Sequence, residues 1–195
     1  KSEECNLLSH AHQDFFHFVL FYDNKPLLID CGRASYNDKS PHYDAFKACF
    51  HNSMTVNGLS YKPDKLIKYP SGYYKYNCIT NYQTDRSLIK IQFYTDGFNR
   101  VVNNINVHRN IELTENKIKI LDTSESDIDC RIDSYFHIYK DFTLINKDEK
   151  KILRNSVNDF EFTKSNNMSY SEDNDNKLTL SSNSYGITER KRYIH

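Results

Sequence analysis

Strand signals recur along this chain about every ten residues, and this spacing limits its possible folds more than any other feature. Segments rich in aromatic and β-branched residues, separated by polar connections, cover residues 73–76, 87–94, 104–107, 117–122, 135–139, 143–145, 160–163 and 177–180. Repeated short strands of this kind are typical of an antiparallel sandwich. The 15 tyrosines and 12 phenylalanines supply apolar surface of the type that strands favour. We therefore predict an all-β, antiparallel two-sheet β-sandwich.

One short helix and several loops complete the predicted fold. Pro41 suits the first turn of a helix that ends near His51. The polar stretches 123–129 and 165–176 predict exposed loops, and the basic run at 189–192 is typical of a solvated edge. No repeat with a fixed period appears, and 195 residues suit one domain, so the prediction is a single domain over residues 1–195.

A hairpin is predicted near the start of the chain. Residues 16–22 are largely apolar on both faces, Asp23-Asn24-Lys25 supplies a tight turn, and residues 26–30 return antiparallel. Antiparallel pairing would bring His12 and Asp30 to the open end of this hairpin. His17 lies inside the first apolar segment, so we predict that it is a packed histidine.

Charge and cysteine content narrow the function classes. Lysine plus arginine and aspartate plus glutamate are balanced at 26 each, so no global field attracts a nucleic acid, a membrane surface or an anionic sugar polymer, and any anion selectivity must be local. No apolar run approaches the length of a membrane span. The five cysteines form no CxxC pair, which indicates neither a zinc ribbon nor a disulfide scaffold. Their odd number implies at least one free thiol or one cysteine paired with another chain.

Three histidines and an aspartate suggest a metal site. His10, His12 and His51 would offer neutral imidazoles and Asp30 a carboxylate, donors that tetrahedral zinc accepts with water in the fourth position. Asp30 ends an apolar run, where a charge is costly unless it is paired or bound to a metal. The alternative is that each histidine is an ordinary core or surface residue.

The sequence of this region resembles a known family. Ser-His-Ala-His-Gln-Asp at 9–14, the segment 18–32, Tyr36 and His-Asn-Ser at 51–53 resemble the carboxy-terminal domain of heparinase II/III-like polysaccharide lyases. Residues 107–110 and 135–138 resemble later strands of that family, in the same order.

The resemblance implies roles for individual residues. His12, Asp30 and His51 match the family's zinc ligands; the alternative is that these three residues only hydrogen-bond to one another. Tyr36 matches a tyrosine of the active site, which can transfer a proton. His10 matches a histidine that faces the carboxylate of the substrate.

Asn52 and Arg109 are two further candidate positions. Asn52 follows a predicted ligand and is expected to orient it or its loop. Arg109 belongs to a predicted strand; we interpret it as structural, with sugar contact as a weaker alternative.

The implied function is cleavage of an acidic, uronic-acid-containing polysaccharide by β-elimination in a zinc-containing lyase. The sequence does not distinguish a glycosaminoglycan from alginate or a bacterial surface polymer. The family carries an amino-terminal α/α toroid that completes the active site, and nothing in this sequence resembles it. We therefore expect the chain to be the carboxy-terminal part of a larger lyase and to lack part of the active site by itself. The family suggests a periplasmic or secreted protein, although free cysteines leave a cytoplasmic location open.

Two alternatives remain at this point. The first is a non-catalytic β-sandwich that binds carbohydrate or a partner domain and uses zinc only for stability. The second is a metallo-β-lactamase-like hydrolase, which also uses His-x-His-x-Asp. A further histidine directly after Asp14 would be expected there, and this chain has Phe15.

Overall fold

The computed structural model describes residues 2–4, 12–30, 43–63, 68–69, 72–73, 75–115, 117–147, 150–154, 159–163, 169–173, 177–184 and 188–194. Its strands are β1 (Ser2–Glu4), β2 (Leu20–Tyr22), β3 (Lys25–Leu28), β4 (Met54–Val56), β5 (Lys68–Tyr69), β6 (Gly72–Tyr73), β7 (Lys75–Thr84), β8 (Ile89–Thr95), β9 (Asn106–Thr114), β10 (Lys117–Glu125), β11 (Cys130–His137), β12 (Thr143–Lys147), β13 (Lys150–Arg154), β14 (Asp159–Thr163), β15 (Ser169–Asp173), β16 (Lys177–Ser184) and β17 (Thr188–Ile194). Short 3₁₀ helices cover Tyr43–Phe46, Ala48–Phe50 and Gly97–Arg100. No helix in these ranges combines the length and apolar character that a membrane crossing requires.

The strands form two main antiparallel sheets. The larger has nine strands in the order β1-β7-β8-β9-β10-β17-β14-β13-β12, and the smaller has four in the order β15-β16-β11-β4. Side chains alternate between buried and partly exposed along β9 and β10, as expected when one face of a sheet covers a core. Residues such as Val107 and Ile120 of the larger sheet share one apolar cluster with Ile132 and Phe136 of the smaller. The predicted all-β, two-sheet antiparallel sandwich is confirmed.

The hairpin near the start of the chain is present, but its first strand is shorter than predicted. β2 begins only at Leu20 and pairs antiparallel with β3. Asp23 and Asn24 form the turn with φ values of 49° and 58°, the left-handed conformation that two-residue hairpin turns favour. Residues 16–19 lie outside regular strand structure.

The predicted short helix is instead two 3₁₀ turns, Tyr43–Phe46 and Ala48–Phe50, which end just before His51. Lys47 lies between them with an extended backbone, φ −72° and ψ 152°, so the turns do not join into one helix. Pro41, where the helix was predicted to begin, lies outside the described residues.

Two polar stretches predicted as loop or solvated edge are strands. β15 occupies residues 169–173, and the basic run 189–192 lies inside β17, which pairs with both β10 and β14. The predicted loop at 123–129 is also shortened, because β10 continues to Glu125. Polar residues have a low strand propensity, but backbone hydrogen bonds with a neighbouring strand stabilise these segments as strands.

A buried ion pair in the larger sheet is hydrogen-bonded to the smaller sheet. Arg109 of β9 lies opposite Asp122 of β10, and their side chains are 0% and 1% exposed. Arg109 donates from Nε to Oδ1 of Asp122 at 2.8 Å and from Nη2 to Oδ2 at 3.0 Å. Ser134 of β11, in the other sheet, donates its hydroxyl to the same Oδ2 at 2.8 Å. The carboxylate therefore receives hydrogen bonds from both sides of the sandwich.

The remaining contacts of Arg109 lie within the core. Its Nη1 donates to the carbonyl oxygens of Phe16 at 3.1 Å and Asn52 at 2.7 Å. The guanidinium carbon lies 5.6–6.0 Å from the ring centres of Phe16, Phe18 and Phe136. Because this side chain is enclosed, the structure does not support the alternative that Arg109 contacts sugar and favours its structural interpretation.

We expect Arg109→Met to lower the free energy of unfolding by about 3–5 kcal/mol, because it leaves the Asp122 carboxylate buried without its cation. Lys90→Met is the matched control: Lys90 pairs with Glu112 at 3.4 Å and both side chains are exposed, so its loss should cost about 0–1 kcal/mol. Urea denaturation of both variants measures the difference. Equal stabilities for the two variants would contradict a central role for the ion pair.

Candidate metal centre

Two segments of the chain lie end to end along one edge of β11. β4 pairs with residues 132–134, and the N–H of Tyr135 then donates to the carbonyl of Ser53 at 2.9 Å. Farther along the same edge, the N–H of Ile29 donates to the carbonyl of His137 at 2.9 Å. The chain just after β3, at Ile29, thus meets the chain just before β4, at Ser53. We call this meeting point the junction.

Asp30 and His51 reach the junction from opposite directions. Asp30 follows Ile29 directly, and His51 comes two residues before Ser53. Nδ1 of His51 lies 2.9 Å from Oδ1 of Asp30. The His51 side chain is wholly buried, whereas that of Asp30 is 36% exposed.

The side chain of Asn52 forms hydrogen bonds with the segments that meet at the junction. Its side-chain amide donates to the carbonyls of Phe18 at 2.7 Å and Ile29 at 3.0 Å, and its Oδ1 accepts the N–H of His137 at 2.7 Å. All three contacts are with backbone groups, so Asn52 replaces strand hydrogen bonds where two segments meet. The predicted task of orienting the His51 loop is compatible with these contacts.

His17 lies at the junction, although the sequence analysis predicted a packed histidine inside a strand. Its Nδ1 accepts the backbone N–H of Asn52 at 3.0 Å, and its Nε2 lies 3.4 Å from Oδ2 of Asp30. Burial lowers the pKa of His17 below its ordinary value, although the nearby Asp30 carboxylate acts in the opposite direction. The sequence predicted a strand from Phe16 onwards, which placed His17 inside a packed strand and away from the candidate site. The only sequence feature that pointed to the site was that His17 is a further histidine close to His12.

His12 lies beside His51, with 5.1 Å between the centres of the two rings. The adjacent Gln13 is buried and holds this segment in place. Its backbone N–H donates to the carbonyl of Phe46 at 2.8 Å, and its Oε1 accepts the N–H of Ala48 at 3.3 Å. Gln13 therefore ties the His12 segment to the 3₁₀ turns that lead into His51.

The donor atoms suit a small cation. His17, Asp30 and His51 each offer one ligand atom within 4.8 Å of the others, compared with about 3.3 Å between tetrahedral donors on zinc. Nε2 of His51 is buried without a hydrogen-bond partner in the described part of the chain. If Nδ1 of His51 carries the proton and donates it to Asp30, Nε2 is a bare lone pair that a cation could bind.

Of the predicted metal ligands, Asp30 and His51 are in contact, and the ring of His12 lies against that of His51. The ligand atoms within 4.8 Å of one another belong to His17, Asp30 and His51, so His12 is not part of that group. Asn52 holds the junction. The predicted catalytic residues His10 and Tyr36 lie outside the described residues.

Comparison with known proteins places this domain in a family. The family model described as "Heparinase II/III-like, C-terminal" matches residues 3–194. The chain belongs to this family of carboxy-terminal lyase domains. A comparison with curated protein sequences found no match.

Solved structures show the same fold. A heparinase III gene product has a TM-score of 0.73 and 12% identity, with 95% of this chain and 30% of that chain covered. Heparan sulfate lyase HepC from Pedobacter heparinus has a TM-score of 0.72 and 10% identity, with 95% and 31% covered. A further heparinase III structure has a TM-score of 0.68 and 12% identity, with 96% and 30% covered. The chain therefore spans about 30% of the length of these structures.

We expect Asn52→Ala to destabilise the domain by roughly 3 kcal/mol, because the N–H of His137 would lose a buried hydrogen bond and the carbonyls of Phe18 and Ile29 would lose partly buried ones. Asn81→Ala, on an exposed position of β7, should change the stability by less than about 0.5 kcal/mol. Urea denaturation compares the two variants. A similar small effect in both would contradict the role of Asn52 at the junction.

Proposed function

We propose that His12, Asp30 and His51 hold a zinc ion, and that this domain forms part of the active site of a lyase that cleaves uronic-acid-containing polysaccharide. The observation that carries the zinc proposal is His51, which is wholly buried, contacts Asp30, lies against His12 and has a ring nitrogen without a hydrogen-bond partner among the described residues. Neutral imidazoles and a carboxylate are the donors that zinc accepts. A bound zinc ion would cross-link three distant segments and supply a fixed positive charge.

Membership of the heparinase II/III-like family supports the lyase reaction. In β-elimination a base removes the proton on C5 of the uronate, a double bond forms between C4 and C5, and the bond from C4 to the glycosidic oxygen breaks. An acid protonates the departing oxygen. We propose Tyr36 and His10 for the proton transfers and for the contact with the substrate carboxylate, because their positions match the family's residues.

The rest of the active site would come from another domain, since the related structures are much longer than this chain. We propose an amino-terminal α/α toroid of the same full-length protein as that partner. The related structures bear the names heparinase III and heparan sulfate lyase, so sulfated glycosaminoglycans are the first substrates to test. Alginate and other uronate polymers follow.

We expect the purified chain to bind zinc stoichiometrically, as measured by elemental analysis of protein prepared without chelators or a histidine tag. His51→Ala should remove most of this zinc. His108→Ala is the control, because His108 lies on β9, where its ring contacts Tyr94. At a free zinc concentration one hundred times the dissociation constant, the wild type should gain about 2.7 kcal/mol of stability. A folded wild-type chain that binds no zinc would refute the metal site.

The lyase reaction is tested with the full-length protein and a panel of heparan sulfate, heparin, chondroitin sulfate, hyaluronan and alginate. The expected result is a rise in ultraviolet absorbance from the unsaturated uronate on at least one polymer, and Tyr36→Phe should reduce the rate by about 10²–10⁴-fold. Zinc binding without product from any acidic polymer would instead support the non-catalytic, carbohydrate-binding alternative.

A further inference from the structure

Distance alone would make His17 a metal ligand beside Asp30 and His51. It forms with Asp30 and His51 a group whose ligand atoms lie within 4.8 Å of one another. The hydrogen bond of His17 with Asn52, however, indicates a different role, because an imidazole nitrogen can bind a metal only through a free lone pair.

The ring nitrogens of His17 have different partners. Nδ1 accepts the N–H of Asn52 at 3.0 Å, so the lone pair of this nitrogen is already used. A neutral imidazole carries its single proton on the other nitrogen, which here is Nε2. Nε2 lies 3.4 Å from Oδ2 of Asp30, whereas Nδ1 of His51 lies 2.9 Å from the other carboxylate oxygen, Oδ1.

We propose that His17 is a positioning residue of the metal centre: its Nε2–H holds Oδ2 of Asp30 and orients the carboxylate, without binding the metal itself. This inference rests on the zinc site of the proposed function. Asn52 sets the arrangement, because its backbone N–H selects the tautomer of His17 and its side chain fixes the junction. Groups that orient a metal-binding side chain in this way typically contribute about 10–100-fold to metal affinity.

Two substitutions separate this role from the alternatives. His17→Gln retains an N–H donor near the position of Nε2, whereas His17→Phe retains a ring without a donor. Both variants deprive the Asn52 N–H of its acceptor, so this loss is common to the pair. The difference between them therefore isolates the donor to Asp30.

The measurement is zinc affinity of the whole chain by competition with a chromophoric chelator, with stability of the metal-free forms recorded beside it. We expect His17→Phe to bind zinc about 10–100-fold more weakly than the wild type and His17→Gln to recover most of the loss. His108→Phe serves as the control and should bind like the wild type.

Three results would overturn the proposal. Equal, large losses in His17→Gln and His17→Phe would indicate that His17 is a ligand. Wild-type affinity in His17→Phe would indicate that it only packs. Nitrogen-15 NMR of the histidine rings gives an independent readout: Nε2 of His17 should carry a proton both before and after zinc is added, and its loss in the zinc form would contradict the proposal.

The same experiment separates this inference from the proposed function. A wild-type chain without zinc affinity would refute the zinc site and the role of His17 together. Zinc binding by the wild type with a failed rescue by His17→Gln would refute only the role of His17.

Discussion

The ion pair between Arg109 and Asp122 is the interaction on which the rest of the structure depends. Burying a guanidinium and a carboxylate is costly, and the cost is offset only when the hydrogen-bonding groups on both are satisfied. Here both oxygens of Asp122 accept hydrogen bonds, one of them also from Ser134 of the opposite sheet. The pair therefore joins the two sheets with directional bonds inside an otherwise apolar core.

The ion pair also connects the core to the candidate metal centre. Nη1 of Arg109 binds the backbone carbonyls of Phe16 and Asn52, which are adjacent in sequence to His17 and His51. Asn52 in turn holds the end of the hairpin against β11. The positions of the histidines are thus set by buried polar contacts, and this gives the rigid support that a metal site requires.

Closeness to Asp30 does not by itself decide the role of a histidine at the junction. His17 and His51 both lie beside Asp30, yet their remaining ring nitrogens have different environments. His17 accepts a backbone N–H, whereas Nε2 of His51 is buried without a hydrogen-bond partner among the described residues. This difference, and not distance, underlies the separate roles proposed for them. Under the proposed roles, Asp30 binds the metal while His17 orients its carboxylate.

The sequence by itself determined the fold class, the hairpin turn at Asp23-Asn24 and the family, because these depend on short-range patterns and on a contiguous motif. Only the tertiary structure decided that the polar segments of β15 and β17 are strands, that His17 belongs to the junction and that Arg109 is enclosed. The physical reason is that these features depend on partners distant in the chain. β17 is paired with β10 and β14, and Arg109 reaches Phe16 and Asn52 across the core. Local periodicity contains no information about such contacts.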